Sequence, residues 1–493
     1  MEADRLPIPP AFLRPVLWPE GSARSRAARS LGVALVLALS ICSQTIAILN
    51  FPGTNDYYGM VALHGVAAFS LIEAGTLASG TGDLGAISAE FARRSADLKS
   101  GYVDIADVAP ALRQSAPRHV LFLYPPGYAL YLAGTFAAAH EYRYATARGI
   151  QEFLNMIGVP VLLLLAGHLL GCFPVGMAAA FLYALFTGPV LQAFYILPDG
   201  LMPFVATLLL TTALWCVRRD RLAAYAVLGL VLGVAANLRS DVLGIGILLA
   251  LGIWRWRRRL DIGTLSRIGI IAFVAFVLLI PYGLIQRNYR PIGHFQVTTP
   301  GLGVSLWESY GETPNPHGAI LSDAAVDEML FHMTGRHIDL LPEGEALLKK
   351  LWLRAARRDP GWFLWSVWHR CGTLLSYWRE GVEPPFVASA RSSAARRSLT
   401  QAFNAGFAAV AFGVFACGIV AIPFNRLGLI IAAAPLHYLL AFSVLHLERR
   451  YVIPALGPLV FLGCFGVSLI VAWLLRAARR EAVPEPAGRS RSL

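Results

Sequence analysis

The stretch LGVALVLALSICSQTIAIL, residues 31–49, decides the fold class of this chain. It is apolar over about 20 residues, the length that a helix needs to cross a bilayer, and it is too long for the apolar region of a typical signal peptide. We therefore expect a retained first membrane helix. The stretch TNDYY (54–58) follows it, so that Asp56 stands where this helix leaves the membrane and a long polar loop begins.

The composition extends this expectation to the whole chain. Only 15% of the 493 residues are charged, whereas a soluble domain carries roughly 25%. We predict an all-α polytopic membrane protein with a bundle of about ten transmembrane helices. The predicted spans are 31–50, 146–170, 174–195, 199–217, 222–238, 240–254, 266–285, 401–422, 427–445 and 452–475.

One further segment, 361–378, would raise the number of spans to eleven if it crossed the membrane. It is rich in Trp, but His369 and Arg370 lie at its centre. Such a segment fits the membrane interface better than the hydrocarbon core. An eleventh span would also move the arginines near the C-terminus to the other side, so ten spans are favoured.

Basic connectors favour the cytoplasmic side. Ten spans place the N-terminal tail, the connectors at 218–221 and 255–259 and the arginines of 476–480 together on that side. The predicted divisions are a cytoplasmic tail (1–30), a catalytic membrane module (31–285) with an extracytoplasmic loop (51–145), a second such loop (286–400), C-terminal membrane helices (401–476) and a disordered cytoplasmic tail (477–493).

Both large loops are expected to contain interfacial helices. Pro125-Pro126-Gly127 breaks the chain, and residues 128–138 can then lie along the membrane or dip into it. At 343–358 apolar residues recur at helical spacing among Lys and Arg residues, which is typical of an amphipathic helix on a bilayer.

Several function classes are disfavoured. The net charge is +12, and the basic residues cluster between apolar runs rather than on one soluble face. Membrane topology and anionic lipid therefore explain the charge better than binding of nucleic acid does. The six cysteines show no CxxC spacing and read as small buried apolar residues. We find no P-loop, Rossmann glycine fingerprint, HExxH or GxSxG motif in a suitable context.

By this topology, polar residues gather on the extracytoplasmic side. They are Asp56, Asp199, Arg239, Asp241, the stretch Arg287-Asn288-Tyr289 and the stretch Glu448-Arg449-Arg450-Tyr451. A helix cap at Asp56, a local Arg239–Asp241 pair and snorkelling arginines would be ordinary structural explanations. Together, however, the residues favour a site where arginine binds a lipid phosphate and a carboxylate accepts a proton from an attacking hydroxyl.

The chain resembles the GT-C class of integral membrane glycosyltransferases, in particular the branch of protein O-mannosyltransferases and lipid A aminoarabinose transferases. The stretches that carry the resemblance are Asp56-Tyr57-Tyr58, Tyr124-Pro125-Pro126-Gly127-Tyr128, Asp199 with Asn237-Leu238-Arg239, and Arg287-Asn288-Tyr289 with Glu448-Arg449-Arg450-Tyr451. Many relatives have an Asp-Glu pair where this chain has Asp56-Tyr57.

The resemblance implies inverting transfer from a polyprenyl-phosphate sugar to a lipid, glycan or protein acceptor. Asp56 would be the catalytic base or the acid that positions the acceptor, and Asp199 a second acidic residue of the site. Candidates for binding the donor phosphate or the substrate are Tyr124, Arg239, Arg287, Tyr289, Glu448, Arg449, Arg450 and Tyr451. The resemblance does not decide whether a divalent metal takes part in the reaction.

The same residues allow two other interpretations. One is a transporter or flippase of lipid-linked or polar solutes, and the other is a polymerase or ligase of lipid-linked glycans. Transporters often have internal repeats and ionisable groups near the membrane midplane, whereas the polar residues here concentrate at one surface. The sequence therefore favours an enzyme in a bacterial inner membrane, with its site facing the periplasm and with no nucleic-acid partner.

Overall fold

The computed structural model is almost entirely helical in the part of the chain that it describes. The described residues are 23–50, 58–75, 78–80, 104–106, 119–120, 125–186, 188–257, 262–279, 301–338, 341–381, 413–419, 422–423, 425 and 427–482. Within these ranges, strands β1 (Ala78–Gly80) and β2 (His119–Val120) pair antiparallel, and the other regular elements are helices. The predicted helical class is therefore confirmed.

Most helices belong to one bundle, which is built from both ends of the chain. In chain order its N-terminal part contains α1 (Ala23–Asn50), α2 (Tyr58–Ala74), α3 (Gly127–Ala139), α4 (Tyr144–Phe153), α5 (Val159–Leu170), α6 (Phe173–Ala184), α7 (Gly188–Phe194), α8 (Met202–Arg219), α9 (Leu222–Leu238), α10 (Leu243–Trp256) and α11 (Ile262–Leu279). The second part of the chain contains α12 (Leu302–Gly311), α13 (Asp323–Thr334), α14 (Pro342–Arg358), α15 (Pro360–Gly381), α16 (Gly428–Phe442) and α17 (Leu456–Ala482). Helices α16 and α17 pack against α10, α8 and α6, so the two ends of the chain share a core.

Three helical stretches among the described residues are long and apolar enough to cross a membrane: Arg26–Leu49, Tyr144–Leu170 and Ile453–Leu475. The pair α6 and α7, bent by 53°, would add a fourth if it forms a single span. Leu49 and Trp473, on two of these stretches, are 78% and 68% exposed, as expected for side chains that a bilayer covers. The chain is therefore a membrane protein, whereas the number of ten spans stays a prediction.

The other predicted spans coincide with helices where the structure describes them. Helix α9 has the predicted limits, whereas α8 and α10 each begin three residues later than predicted. Short turns of 3-10 helix, Pro198–Gly200 and Ser240–Val242, precede these two helices and contain Asp199 and Asp241. Residues 187, 280–285, 401–412 and 420–421 of the predicted spans lie outside the described residues.

The span Tyr144–Leu170 is interrupted by a turn of π-helix. The π-turn covers Leu154–Gly158, between α4 and α5. Such turns disturb the regular backbone hydrogen bonding of a helix, and the Ser40 hydroxyl of α1 donates to the Met156 carbonyl at 2.6 Å. Inside a membrane a backbone carbonyl has no water to bind and needs a hydrogen-bond donor from the protein. The Ser40 hydroxyl is such a donor, and this hydrogen bond fixes the position of α1 against the π-turn.

Helices α12 to α15 surround a second hydrophobic core. Tyr310 lies at its centre, fully buried, against the rings of Trp352 and Trp362. We call residues 301–363 the loop unit. Helix α14 is amphipathic as predicted, and its apolar face packs into this core. Neighbouring helices of the same loop cover this face in part, and its position on a bilayer stays a prediction.

The loop unit is fastened to the bundle through Arg370 of α15. This side chain is only 1% exposed; its Nε donates to the Ser443 carbonyl at 2.8 Å and its Nη1 donates to the Ser309 carbonyl at 2.6 Å. In addition, the His446 amide donates to the Ser305 carbonyl at 2.9 Å. The charge at the centre of 361–378 is thus accommodated by protein carbonyls at the junction of the two cores.

Candidate functional site

Polar and charged groups gather at two ends of the bundle. Asp199 precedes α8, Arg239 follows α9 and Asp241 precedes α10, while the stretch 448–451 connects α16 to α17. Antiparallel helices joined by short turns place these positions at one end, and the contacts described below confirm that they meet. We call this group the polar cluster.

The opposite end carries the basic connectors. Asp220 lies between α8 and α9 and binds Arg257 and Arg267, each at 2.6 Å. Arg218 donates to the carbonyls of His168 and Leu169 at the end of α5. Arg218 and Arg257, from two of the connectors that the sequence assigns to the cytoplasmic side, therefore lie at the end of the bundle away from the polar cluster.

Arg239 lies between two carboxylates at the centre of the polar cluster. Its Nη1 donates to Asp199, and its Nε and Nη2 donate to the two oxygens of Asp241 at 3.0 and 3.2 Å. Its side chain is only 13% exposed. Burial alone would lower the pKa of Arg239, but Asp199 and Asp241 more than offset this effect and raise it above its ordinary value. The predicted Arg239–Asp241 pair exists, and Asp199 joins it.

A polar patch on α4 and the π-turn fixes the turn that presents Asp199. The Asn155 amide donates to the Gly200 carbonyl at 2.8 Å, and the Gln151 amide donates to the Ala193 carbonyl at 3.0 Å. A Cβ on Gly200 would lie 2.7 Å from Gln151 Nε2, so a side chain at that position would displace the amide. The buried Asp199 is therefore held by a preformed backbone turn.

The double-proline motif supports the same turn from the other side. Tyr128, fully buried, donates from its hydroxyl to Gln151 Oε1 at 2.8 Å. A Cβ on Gly127 would lie only 2.4 Å from the Asn237 carbonyl oxygen, two residues before Arg239. Glycine thus allows α3 to begin against the end of α9. The motif connects the supports of Asp199 and Arg239, although the structure does not describe Tyr124.

The stretch between α16 and α17 forms the other half of the cluster. Glu448 forms an ion pair with Arg450: Arg450 Nη2 donates to one carboxylate oxygen at 2.9 Å, and Arg450 Nε lies 2.6 Å from the other. The Tyr451 hydroxyl donates to Glu448 at 3.2 Å. The Arg450 side chain is 6% exposed and that of Glu448 is 26% exposed, so the arginine is the buried partner.

Tyr451 joins the two halves. The Arg239 guanidinium carbon lies 5.0 Å from the centre of the Tyr451 ring, and that of Arg450 lies 5.1 Å from it. Both distances are within the usual range of a cation–π contact. Asp199, Arg239, Glu448, Arg450 and Tyr451 are therefore neighbours, although the chain separates the first two from the others by the entire loop unit.

Two residues that are not among the catalytic or phosphate-binding candidates extend the cluster. His446 Nδ1 lies 2.7 Å from Glu312, and His446 Nε2 lies 3.3 Å from Glu448. Burial opposes protonation of His446, but hydrogen bonds with Glu312 and Glu448 raise its pKa to about 10. Although burial disfavours the charged form of Glu448, hydrogen bonding to His446 and the charge of Arg450 lower its pKa. His446 precedes a stretch that was singled out, whereas Glu312 has no distinctive sequence pattern.

A second carboxyl group lies near this histidine. Glu308, one turn before Glu312, is 6% exposed. Burial, followed by the charge of Asp323, raises its pKa to about 8, and a hydrogen bond between the two carboxyl groups adds to the effect. At neutral pH the Glu308–Asp323 pair therefore retains a proton.

The remaining candidates lie outside the described residues. Asp56, Tyr124, Arg287 and Tyr289 fall in undescribed segments, and only the backbone of Arg449 is described, within a turn of 3-10 helix. Their assignment to the site stays a prediction. Among the described residues, no group of three or more His, Cys, Asp or Glu side chains could hold a metal ion.

No protein-family model matches the chain. No curated protein matches it either. Solved structures similar to it include the oligosaccharyltransferase AglB from Archaeoglobus fulgidus in complex with an inhibitory peptide and a dolichol-phosphate, with 12% identity and a TM-score of 0.49 over 95% of this chain and 53% of that one. The apo oligosaccharyltransferase of the same organism matches with 13% identity and a TM-score of 0.45, over 92% of this chain and 51% of that one.

ArnT from Cupriavidus metallidurans in the apo state is also similar, with 16% identity and a TM-score of 0.33 over 94% of this chain and 82% of that one. AglB and ArnT are both GT-C glycosyltransferases, the class that the sequence motifs resemble. The chain spans about half the length of the oligosaccharyltransferases. Because each of these TM-scores is below 0.5, the function is proposed from the chain's own residues.

Proposed function

We propose that this protein is an inverting membrane glycosyltransferase. It moves a sugar from a polyprenyl-phosphate-linked donor to a lipid, glycan or protein acceptor at the extracytoplasmic face of a bacterial inner membrane. The observation that carries the proposal is the contact of Arg239, which binds Asp199, with the Tyr451 ring of the Glu448–Arg450–Tyr451 group at one end of the bundle. The motifs that resemble GT-C glycosyltransferases supply the residues of this cluster and its supports.

The reaction needs one group that accepts a proton. In the proposed mechanism Asp56 takes the proton of an acceptor hydroxyl, whose oxygen attacks the anomeric carbon of the donor sugar. The bond between this carbon and the phosphate oxygen breaks, and its electron pair leaves with the polyprenyl phosphate. The transition state is oxocarbenium-like, by analogy with glycosidases. Asp199 contributes a second negative charge near this carbon.

The charges of the described cluster indicate how the donor phosphate is held. Two guanidinium groups, Arg239 and Arg450, face the three carboxylates of Asp199, Asp241 and Glu448. This set has an excess negative charge, so it would not attract a phosphate by itself. We propose that Arg287 and Arg449, or a divalent metal, add the positive charge, with Tyr124 and Tyr289 nearby. In this arrangement the carboxylates keep the Arg239 and Arg450 guanidinium groups in fixed planes.

The position of the polar groups favours an enzyme over a transporter. All members of the described cluster lie at helix ends or in the connections between helices. Transporters commonly place such groups in broken helices near the membrane midplane. An assay in sealed proteoliposomes separates the two functions: an enzyme makes a new covalent glycoside, whereas a flippase only moves the labelled donor between leaflets.

The Asp56→Asn variant tests the catalytic role directly. An amide keeps the size of the side chain but cannot accept the proton at neutral pH, so transfer from a polyprenyl-phosphate sugar in proteoliposomes should fall by about 10²–10⁴-fold. Expression and melting temperature should stay as in the wild type. Asp327→Asn, in the loop unit, is the matched control and should retain activity. Normal turnover in Asp56→Asn would remove Asp56 from catalysis, and absence of transfer by the wild type from a panel of such donors would overturn the proposed function.

A further inference from the structure

Glu312 links the loop unit to the polar cluster. Glu312 stands directly after α12 and is 12% exposed. One of its oxygens lies 2.7 Å from His446 Nδ1 and also accepts from the Leu447 amide at 2.5 Å. Glu312 therefore fixes both the imidazole and the backbone at the beginning of the connection between α16 and α17.

From His446 the contacts continue without a break to the candidate site. His446 Nε2 lies 3.3 Å from Glu448 Oε1, the same oxygen that accepts from Arg450 Nη2 at 2.9 Å. The Tyr451 hydroxyl donates to this oxygen as well. A change in the charge or position of His446 would thus alter the carboxylate that orients Arg450.

We propose that Glu312 is a positioning residue of the donor site: it holds His446 against Glu448 and thereby sets the plane of the Arg450 guanidinium. The inference rests on the proposed function, because it assigns the orientation of Arg450 to the binding of a lipid phosphate. It also gives the loop unit a part in the site, although the unit has a hydrophobic core of its own.

The electrostatics around His446 give this role a measurable signature. The groups that face the imidazole are Glu312 and Glu308 from the loop unit and Glu448 and Tyr451 from its own connection. With its pKa raised to about 10, His446 is protonated up to about pH 9 and both of its nitrogens act as donors. In Glu312→Gln a charged partner becomes neutral, so the pKa of His446 falls. As the pH rises from 7 to 9 the imidazole then loses a proton and cannot donate to both partners.

The test is the affinity for farnesyl phosphate, measured by calorimetry on the full chain in nanodiscs at pH 7 and pH 9. Phosphate monoesters have their second pKa near 6, so the probe changes little between these values. We expect the wild type to bind about equally at both values, and Glu312→Gln to bind about tenfold more weakly at pH 9, the effect of roughly 1.4 kcal/mol. A purely structural defect would weaken binding equally at both pH values.

The control variant is Glu343→Gln, on an exposed carboxylate of the same loop unit that pairs with Arg336 at 3.4 Å. It should behave like the wild type. Introducing His446→Gln into Glu312→Gln should abolish the dependence on pH. The inference is overturned if Glu312→Gln and the wild type show the same ratio of affinities.

A second measurement separates this inference from the proposed function. If the wild type does not bind farnesyl phosphate, the proposed function fails, and hydrogen exchange of residues 446–451 decides the positioning role. Loss of protection in Glu312→Gln at pH 9 but not at pH 7, after correction for the intrinsic exchange rate, supports the coupling through His446. Protection equal to that of the wild type at both values overturns it.

Discussion

Arg239 contacts both carboxylates and the aromatic ring at the centre of the candidate site. Its guanidinium binds Asp199 and Asp241 and lies over the Tyr451 ring. A planar group with donors in a fixed geometry can satisfy two carboxylates at once, which the compact ammonium of Lys cannot do. Without Arg239, both carboxylates would remain partly buried without this partner, an arrangement that costs several kcal/mol. The position of Arg239 is thus set by two ion pairs and by its contact with the Tyr451 ring.

Glu308 gives a prediction that depends on pH. Its pKa is raised to about 8, so the folded protein binds a proton that the unfolded chain releases above its ordinary pKa of 4.5. This contribution to stability is present at low pH and is lost as the pH rises through about 8. Glutamine resembles the protonated acid and does not titrate. We expect the melting temperature of Glu308→Gln to fall less between pH 6 and pH 9 than that of the wild type.

The exposed Glu343 again provides the control, because Glu343→Gln should preserve the dependence of the wild type. Equal losses in melting temperature for Glu308→Gln and the wild type would show that the Glu308–Asp323 pair does not retain its proton.

The sequence identified most of these residues but few of their contacts. Arg239 was singled out because the predicted topology places it on the extracytoplasmic side, and its local partner Asp241 follows two residues later. Its partner Asp199 lies far away in the chain, and their contact depends on how α8 and α9 pack. Glu312 resembles any solvated acid at the end of a loop helix. Its contact with His446 becomes visible only when the loop unit is packed against residues 446–451.

At the scale of the elements, short turns and glycines position the site. The 3-10 turns before α8 and α10 place Asp199 and Asp241 ahead of helices whose next residues are apolar. The π-turn aligns Asn155 with Gly200. Hydrophobic periodicity predicts helices well, because every span that the structure describes is helical. It cannot predict a π-turn, which depends on partners such as Ser40 on another helix.

The double-proline motif allows a matched test within one helix. Gly127→Ala would place a methyl group 2.4 Å from the Asn237 carbonyl oxygen, and overpacking of this kind typically costs about 1–3 kcal/mol. We expect a lower melting temperature and reduced transfer activity, because α9 and Arg239 must shift.

Gly134→Ala is the control for this variant. A Cβ at Gly134 has no heavy atom of another described residue within 4 Å, and Ala in a helix is favoured over Gly by roughly 0.5–1 kcal/mol. Its melting temperature should remain equal or rise. If both variants behaved alike, the close approach of α3 to the end of α9 would not support the site.

At the scale of the whole molecule, two groups of ion pairs lie at opposite ends of the bundle. Asp220 gathers Arg257 and Arg267 at one end, while Asp199, Arg239 and the 448–451 stretch meet at the other. This division agrees with the orientation that the basic connectors predict. The number of spans depends on residues outside the described ranges, and composition alone gives little information about bent or short helices such as α6 and α7.

A reporter that is active on only one side of the membrane tests this topology. Fused after Arg397, between α15 and α16, it should read extracytoplasmic if ten spans are correct. Fused after Arg221, in the connection between α8 and α9, it should read cytoplasmic and serves as the control. A cytoplasmic signal after Arg397 would instead support eleven spans, with 361–378 crossing the membrane.

The order of the cluster along the chain has a consequence for biosynthesis. Asp199, Arg239 and Asp241 are translated early, whereas Glu448, Arg450 and Tyr451 emerge only after the loop unit. Until α16 and α17 insert, the nascent bundle contains a carboxylate-rich end without its aromatic cover. The site is therefore completed late, and we infer that chains interrupted before α16 expose a polar surface by which membrane quality control could recognise them.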